Sequence, residues 1–248
     1  MHAVQALYQY RKSLSTTTFN ARGKGVTRCQ NCRLSVKFCL CSQRVLLPSQ
    51  AGFLLLMYDT EVLKPSNTGK LIADLIPDTY AFLWSRTQTE SALLELLTSE
   101  KWQPYIVFPA EYANENQQVF HQQLPQNTTK RPLFILLDGS WREAKKMFRK
   151  SDYLQSLPIL SIDPQVLISE DYLPKYQIRN SVKKNQLATA EVAAQVLDVF
   201  GERKNAQLLD CWFDLFTYQY QRSVCQTNTG DASSQSRYNN LVRDYPLK

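Results

Sequence analysis

Short apolar runs alternate with stretches of helical periodicity from residue 53 onward. Residues 53–57 (FLLLM) and 133–137 (LFILL) are continuous apolar runs with the length of buried strands. The same criteria predict further strands at 80–84, 105–108 and 158–162, and helices at 70–76, 90–97, 142–150, 189–200 and 206–220. This alternation predicts an α/β domain with a mainly parallel sheet. Residues 226–236 are polar and predict a loop.

A polar turn, DGSW at residues 138–141, follows the strand at 133–137 and is the clearest candidate for chemistry. A strand, turn and helix in this order place ligands at the C-terminal edge of a parallel sheet. Asp138 can accept hydrogen bonds from a ligand amine or from helix N–H groups, Ser140 can cap the helix, and Trp141 offers a flat face for stacking. A capped helix with a buried indole explains the same residues equally well, so both interpretations stand.

Two further groups of polar residues lie near predicted strand ends or helix starts. The first group is Glu61, Asn67, Thr68 and Arg86, and the second is Arg179, Thr189 and Glu191. Each group alone is typical of surface or capping chemistry, but their common placement favours a shared site. The sequence has no Walker A motif, no GxGxxG and no GxSxG, and its two histidines make a His-centred triad improbable.

Charge is concentrated at the start of the chain. The 248 residues carry a formal net charge of +7. Residues 1–50 contain eight basic residues and no acidic one, which leaves 21 basic and 22 acidic residues in the rest. A basic segment beside a near-neutral domain indicates a polyanionic partner, most commonly nucleic acid, although a solvated basic tail has the same composition.

Four of the six cysteines lie in this basic segment, as Cys29-x2-Cys32-x6-Cys39-x-Cys41. This spacing predicts a closed four-thiolate zinc site with a structural role, while two disulfides or free thiols are the alternatives. No apolar run reaches the length of a membrane span and nothing signals export, so we expect a cytoplasmic protein with reduced cysteines. Cys211 and Cys225 lack partners at metal spacing and are expected to be ordinary thiols.

An ordered set of short motifs resembles the DTW-domain family, specifically the bacterial tRNA-uridine aminocarboxypropyltransferases. The set comprises the four-cysteine cluster, Glu61 with KPSNTG at 64–69, WSR at 84–86, DGSWREA at 138–144, Tyr153-Leu154 with Leu157-Pro158, Arg179, and TAE at 189–191. Two positions depart from the family pattern. Ser140 replaces the usual Thr but keeps the hydroxyl group, and Lys64 stands where Arg is frequent, which keeps the charge but loses the bidentate fork.

The resemblance implies transfer of the 3-amino-3-carboxypropyl group from S-adenosylmethionine to N3 of a tRNA uridine, in the variable loop. It also implies a SPOUT-like fold with a C-terminal trefoil knot. The implied cofactor-binding residues are Phe108, Pro109, Leu136, Leu137, Asp138, Gly139, Ser140, Trp141, Ile178, Arg179, Thr189 and Glu191. Asp138 is the candidate general base or the group that orients the cofactor amine, and Arg179 and Glu191 are candidates to pair with the transferred zwitterion.

RNA contacts are expected mainly from the basic N-terminal segment, because N3 lies on the pairing edge and the target base must be unpaired. The candidates are Arg22, Lys24, Arg28, Arg33, Asn67, Thr68 and Arg86. The predicted organisation is a basic zinc segment at 1–50, a catalytic domain at 51–222 and a tail at 223–248, in a monomer. The alternatives are an S-adenosylmethionine-dependent RNA methyltransferase and a non-catalytic zinc-ribbon RNA-binding protein.

Overall fold

A computed structural model describes residues 1–17, 23, 25–121, 123–125, 129–162 and 187–245. A six-stranded sheet in which every pairing is parallel forms the centre of the described chain. Its strands, in chain order, are β1 (Gly52–Met57), β2 (Thr79–Leu83), β3 (Trp102–Val107), β4 (Val119–His121), β5 (Arg131–Asp138) and β6 (Ile159–Ser161). Their spatial order is β2-β1-β5-β3-β6-β4. The predicted α/β class with a parallel sheet is confirmed.

The helices that pack on this sheet include all five predicted from periodicity. The described helices are α1 (Ala3–Ser13), α2 (Gly69–Leu75), α3 (Ser91–Leu97), α4 (Trp141–Arg149), α5 (Thr189–Val199), α6 (Arg203–Val224) and α7 (Ser234–Arg243). Helix α1, the three-residue strand β4 and helix α7 were not predicted from the sequence; the first residues of α7 fall in the stretch expected to be a loop. Helix α7 packs on α6 through Tyr238 and Trp212, whose ring centroids lie 5.0 Å apart. None of the described helices is both long and apolar enough to span a membrane.

Strands β1 and β5 are buried on both faces, which explains their continuous apolar sequences. Alternate residues of a strand point to opposite faces. Phe53 and Phe134 accordingly belong to the core that contains α2, α5 and α6 residues, whereas Leu54 and Ile135 belong to the core with α3 and α4 residues. The register pairs Met57 with Asp138, so the ends of β1 and β5 meet at the C-terminal edge of the sheet.

The segment that contains the four clustered cysteines, residues 29–47 and called the cysteine segment below, packs into the larger of these two cores. Leu34, Leu40 and Leu47 are buried in the same cluster as Phe53 and the apolar face of α6. The predicted boundary at residue 50 and the division at residue 222 stay predictions. The knot also stays a prediction, because most of residues 178–191 lie outside the part of the chain that the structure describes.

Candidate active site and cysteine metal centre

The last residue of β5, Asp138, is the centre of a buried hydrogen-bond network. Its side chain accepts from Thr189 Oγ1 at 2.6 Å through Oδ1 and from Asn67 Nδ2 at 2.7 Å through Oδ2. The residue is only 3% exposed. Three separate elements therefore converge on one carboxylate: the end of β5, the loop before α2 and the start of α5. An ionised carboxylate only accepts hydrogen bonds, and both contacts supply a donor to it.

The loop before α2 holds a second buried carboxylate beside the first. Asn67 Nδ2 also donates to Glu61 Oε1 at 3.3 Å, and Lys64 Nζ donates to Glu61 Oε2 at 2.6 Å. Asn67 thus links the side chains of Glu61 and Asp138. The close approach of α2 requires glycine at position 69, because a Cβ atom there would lie 2.6 Å from Asp138 Oδ2. The sequence grouped Asn67 with Glu61, but the contact with Asp138 spans 71 positions and leaves no local signal.

The start of α5 supplies Thr189 and Glu191 to the same region. Thr189 contacts Asp138 directly, as described above. Glu191 is fully buried, and its Oε2 accepts from the Ala188 N–H at 2.7 Å, so it closes the N-terminus of α5. A carboxylate in the first turn also interacts favourably with the helix dipole. Glu191 was expected to bind the cofactor. The structure shows in addition that it caps the N-terminus of α5.

The turn at 138–141 combines both interpretations drawn from the sequence. Ser140 is the N-cap of α4, since its Oγ accepts from the Glu143 N–H at 3.4 Å and its own N–H donates to Glu143 Oε2 at 2.7 Å. The methyl group absent from Ser140 is not needed for these contacts. Trp141 is half-buried and stacks on Phe108 at 5.3 Å, with the edge of Tyr112 at 5.7 Å. A cluster of three aromatic side chains thus lies at the C-terminal edge of the sheet, next to Asp138.

The remaining residues expected to bind the cofactor fall into two sets. Phe108 and Pro109 follow β3, the sheet neighbour of β5, and Leu136, Leu137 and Gly139 flank Asp138 on β5 and its turn. Ile178 and Arg179 lie outside the described residues. The structure therefore brings the ends of β3 and β5 and the start of α5 to one edge of the sheet.

Several residues expected to contact RNA are occupied inside the protein instead. Arg33 is 3% exposed, donates through Nη1 to the Val62 carbonyl oxygen and lies 4.6 Å from the ring centroid of Tyr8. Its burial lowers the pKa of Arg33 to about 10. Arg28 is half-buried and donates through Nη1 to the Arg33 carbonyl oxygen at 2.9 Å. The guanidinium of Arg33 is thus held inside the protein, and its expected RNA contact stays a prediction.

Two expected RNA contacts in the loop before α2 are also buried. Asn67 is completely buried and donates to Asp138, and Thr68 is 5% exposed, so the RNA contacts expected of both stay predictions. Arg86, by contrast, is exposed. Arg22 and Lys24 lie outside the described residues.

The four clustered cysteines form a pocket with the dimensions of a thiolate metal site. Their Sγ atoms lie within 4.8 Å of one another, with Cys29–Cys39, Cys29–Cys41 and Cys32–Cys39 separations of 3.5, 3.7 and 3.8 Å. Zinc–sulfur bonds of about 2.3 Å in a tetrahedron require sulfur separations of about 3.8 Å. Burial raises the pKa of Cys32 and Cys41; at Cys29 burial acts in the same direction, but hydrogen bonds from the backbone of Cys32 and Asn31 outweigh it and lower the pKa to about 7. The donor set therefore fits a structural zinc ion.

A buried lysine that the sequence did not single out connects the cysteine segment to the loop before α2. Lys70 is 1% exposed, and its Nζ donates to the carbonyl oxygens of Cys32 and Pro65, each at 2.8 Å. Its backbone N–H donates to Asn67 Oδ1 at 3.2 Å. Burial lowers the pKa of Lys70 well below its ordinary value. The metal pocket and the network around Asp138 are thus joined by one residue.

The fold and the site define an α/β protein with a parallel sheet, a carboxylate network at the C-terminal edge and a four-cysteine metal pocket. The DTW domain model matches residues 26–221, and the chain belongs to this family. No solved structure matches the chain. Membership of the DTW family is consistent with a tRNA-modifying transferase.

Proposed function

We propose that this protein transfers the 3-amino-3-carboxypropyl group of S-adenosylmethionine to N3 of a uridine in tRNA, in the variable loop, and releases 5′-methylthioadenosine. The observation that carries the proposal is the position of Asp138 in a DTW-family chain. Its carboxylate lies at the C-terminal edge of a parallel sheet, where α/β proteins bind ligands, and three converging elements hold it in place.

S-adenosylmethionine would lie against residues 108–110, 136–141 and 178–191. The first two stretches follow β3 and end β5, and the third precedes and begins α5 in the sequence. The half-buried ring of Trp141, held in place by stacking on Phe108, suits the adenine ring, because aromatic side chains pack on flat heterocycles. Arg179 and Glu191 stay the proposed partners for the charged ends of the transferred group. The four cysteines would hold zinc, which supports the fold and has no open coordination position for a substrate.

The reaction breaks the bond between the sulfonium sulfur and the Cγ carbon, and forms a bond from that carbon to N3. The electron pair of the broken bond stays on sulfur, which leaves as a neutral thioether. The N3 proton must depart before or during the attack, and Asp138 is the proposed acceptor or the group that orients the α-amino group. The rate then depends on placing N3 in line with the Cγ–S bond, since the methyl carbon on the same sulfur is also electrophilic.

Replacing Asp138 tests the proposal directly. We expect Asp138→Asn to reduce turnover by about 10²- to 10⁴-fold, the usual contribution of a positioned acid–base group, while the protein stays folded. Mass spectrometry of tRNA nucleosides, with tRNA and S-adenosylmethionine supplied, measures the product. Release of S-adenosylhomocysteine with a methylated base would instead show a methyltransferase. Absence of any product with the wild-type protein, together with tRNA binding, would favour a non-catalytic RNA-binding protein.

A further inference from the structure

Half of the residues that line a groove beside the Asp138 turn are basic. The cavity has a volume of about 1010 Å³, and its charged lining consists of six basic residues and one acidic residue, Glu143. The basic residues are Arg86, Arg142, Lys145, Lys146, Arg149 and Lys150. All six are exposed, and none of them forms an ion pair with another residue of the described chain. The single carboxylate already accepts from the N–H and hydroxyl groups of Ser140.

Helix α4 explains why the cations share one side. Positions 142, 145, 146, 149 and 150 follow the three- and four-residue spacing of one helical face, and all are basic. Ala144, Met147 and Phe148 of the same helix are buried in the core. Because the core fixes the apolar face, the basic face is held towards the groove. With a rise of about 1.5 Å per residue, the basic face extends over about 12 Å.

Aromatic side chains lie among these cations. Lys146 Nζ is 5.5 Å from the ring centroids of both Tyr58 and Trp84, which stack on each other at 5.7 Å. Lys145 Nζ lies 6.0 Å from the centroid of Tyr112, which also lines the groove. Tyr58 and Tyr112 are half-buried and line the groove, whereas Trp84 is buried behind Tyr58. Single-stranded nucleic acid binds to cations interleaved with such rings, by phosphate pairing and base stacking.

The groove begins at the proposed active site. Ser140, two residues after Asp138, is part of its lining. Tyr58, another lining residue, donates its backbone N–H to the Asp138 carbonyl oxygen at 2.9 Å. A strand held in the groove would therefore lie at the edge of the sheet where β5 ends at Asp138.

We infer that this groove, called the α4 groove below, binds the RNA strand that carries the target base. The basic face of α4 and Arg86 contact the phosphates of that strand. The inference rests on the proposed function and replaces the expectation that the N-terminal segment holds most of the RNA. Of the described cations in that segment, Arg11 and Arg44 pair with Asp59 and Asp74, Arg33 is buried and Arg28 is half-buried. Lys12 and Lys37 are exposed, but they do not form a continuous basic face such as that of α4.

A pair of matched double variants tests the inference. Lys145→Gln/Arg149→Gln removes one lysine and one arginine from the groove, and Arg203→Gln/Lys204→Gln removes the same charges from the exposed start of α6. Binding of unfractionated tRNA is measured over a range of potassium chloride concentrations, with thermal melting as a check on folding. We expect the groove variant to bind at least about tenfold more weakly, and its salt slope to fall by about 1 for each cation removed. The control variant should match the wild type.

The outcomes separate the two proposals. Equal weakening in both variants, or wild-type binding by the groove variant, would overturn the inference. If the groove variant binds normally while the wild type modifies uridine, the groove assignment fails and the proposed function stands. If the groove variant loses tRNA binding but the wild-type protein forms no modified uridine, the proposed function fails and RNA binding in the α4 groove stands. Competition by polyglutamate as effective as that by RNA would show a general polyanion site and would also overturn the inference.

Discussion

Asn67 shows at the scale of one residue how the site is assembled. Its amide group donates to Asp138 and to Glu61, so two buried carboxylates share one neutral donor. Lys64 supplies the nearby positive charge at Glu61. A buried carboxylate needs a donor or a cation to offset the loss of hydration, and Asn67 is a donor that adds no charge.

We expect Asn67→Asp to damage both stability and activity. The substitution keeps the shape but replaces the shared donor with a third acidic group beside Asp138 and Glu61. The free energy of unfolding should fall by about 3 kcal/mol, as for other buried groups left without a partner. Urea denaturation measures the change, and nucleoside mass spectrometry measures the product. Asn239→Asp is the control, because Asn239 is exposed and only its acceptor oxygen is used; an equal loss there would contradict the explanation.

At the scale of the elements, the cysteine segment and the loop before α2 form one unit. Lys70 holds the carbonyl oxygens of Cys32 and Pro65, and Arg33 holds that of Val62. The network around Asp138 therefore depends on the conformation of residues 29–41. Arg33 itself has a φ of 62°, a left-handed conformation that residues other than glycine rarely adopt.

Loss of one metal ligand should therefore affect more than the metal. We expect the wild-type protein to contain about one zinc ion per chain and Cys32→Ser to contain much less. Its melting temperature should also fall, because a four-thiolate site contributes directly to folding free energy. Elemental analysis and thermal melting measure the two effects. Cys225→Ser is the matched control, since Cys225 is outside the cluster; zinc retained in full by Cys32→Ser would contradict the metal assignment.

Helices and strands were predicted correctly from the sequence where the local pattern of apolar residues is strong. Strands β1 and β5 have the uninterrupted apolar runs of doubly covered strands, so their position was predicted within a few residues. Strand β4 was missed because its three residues are not fully buried and show no apolar run. Asn67 was placed in the correct group, but its burial depends on a contact 71 residues away, which no local pattern encodes.

At the scale of the whole molecule, charge along the sequence and charge in space differ. Among the described basic residues of the first 50 positions, Arg11 and Arg44 form ion pairs with Asp59 and Asp74, and Arg33 is buried. The basic face of α4 lies in a region of the sequence that is near neutral overall. Its three- and four-residue spacing was visible in the sequence, but only the buried opposite face shows which way it points.

Asp74 joins the N-terminal segment to the rest of the molecule, and its removal should have a large effect. Its carboxylate lies 2.8 Å from Arg44 Nη2 and 3.2 Å from His2 Nε2, and accepts from Trp212 Nε1 at 3.3 Å. We expect Asp74→Asn to lower the free energy of unfolding by about 3 kcal/mol, since it leaves buried donors unpaired. Urea denaturation measures it. Asp59→Asn, which removes the exposed partner of Arg11, should change it by less than about 1 kcal/mol. Equal effects would contradict this explanation.

The packing of the cysteine segment against the end of the chain sets an order of events during synthesis. The Gln43 carbonyl oxygen accepts from Tyr238 Oη at 2.9 Å, across 195 positions of sequence. At about 5–20 residues per second, the ribosome needs roughly 10–40 s to make the residues between them. The four thiols therefore emerge long before the helices that cover them exist. Early capture of a metal ion would keep them reduced and correctly arranged during that interval.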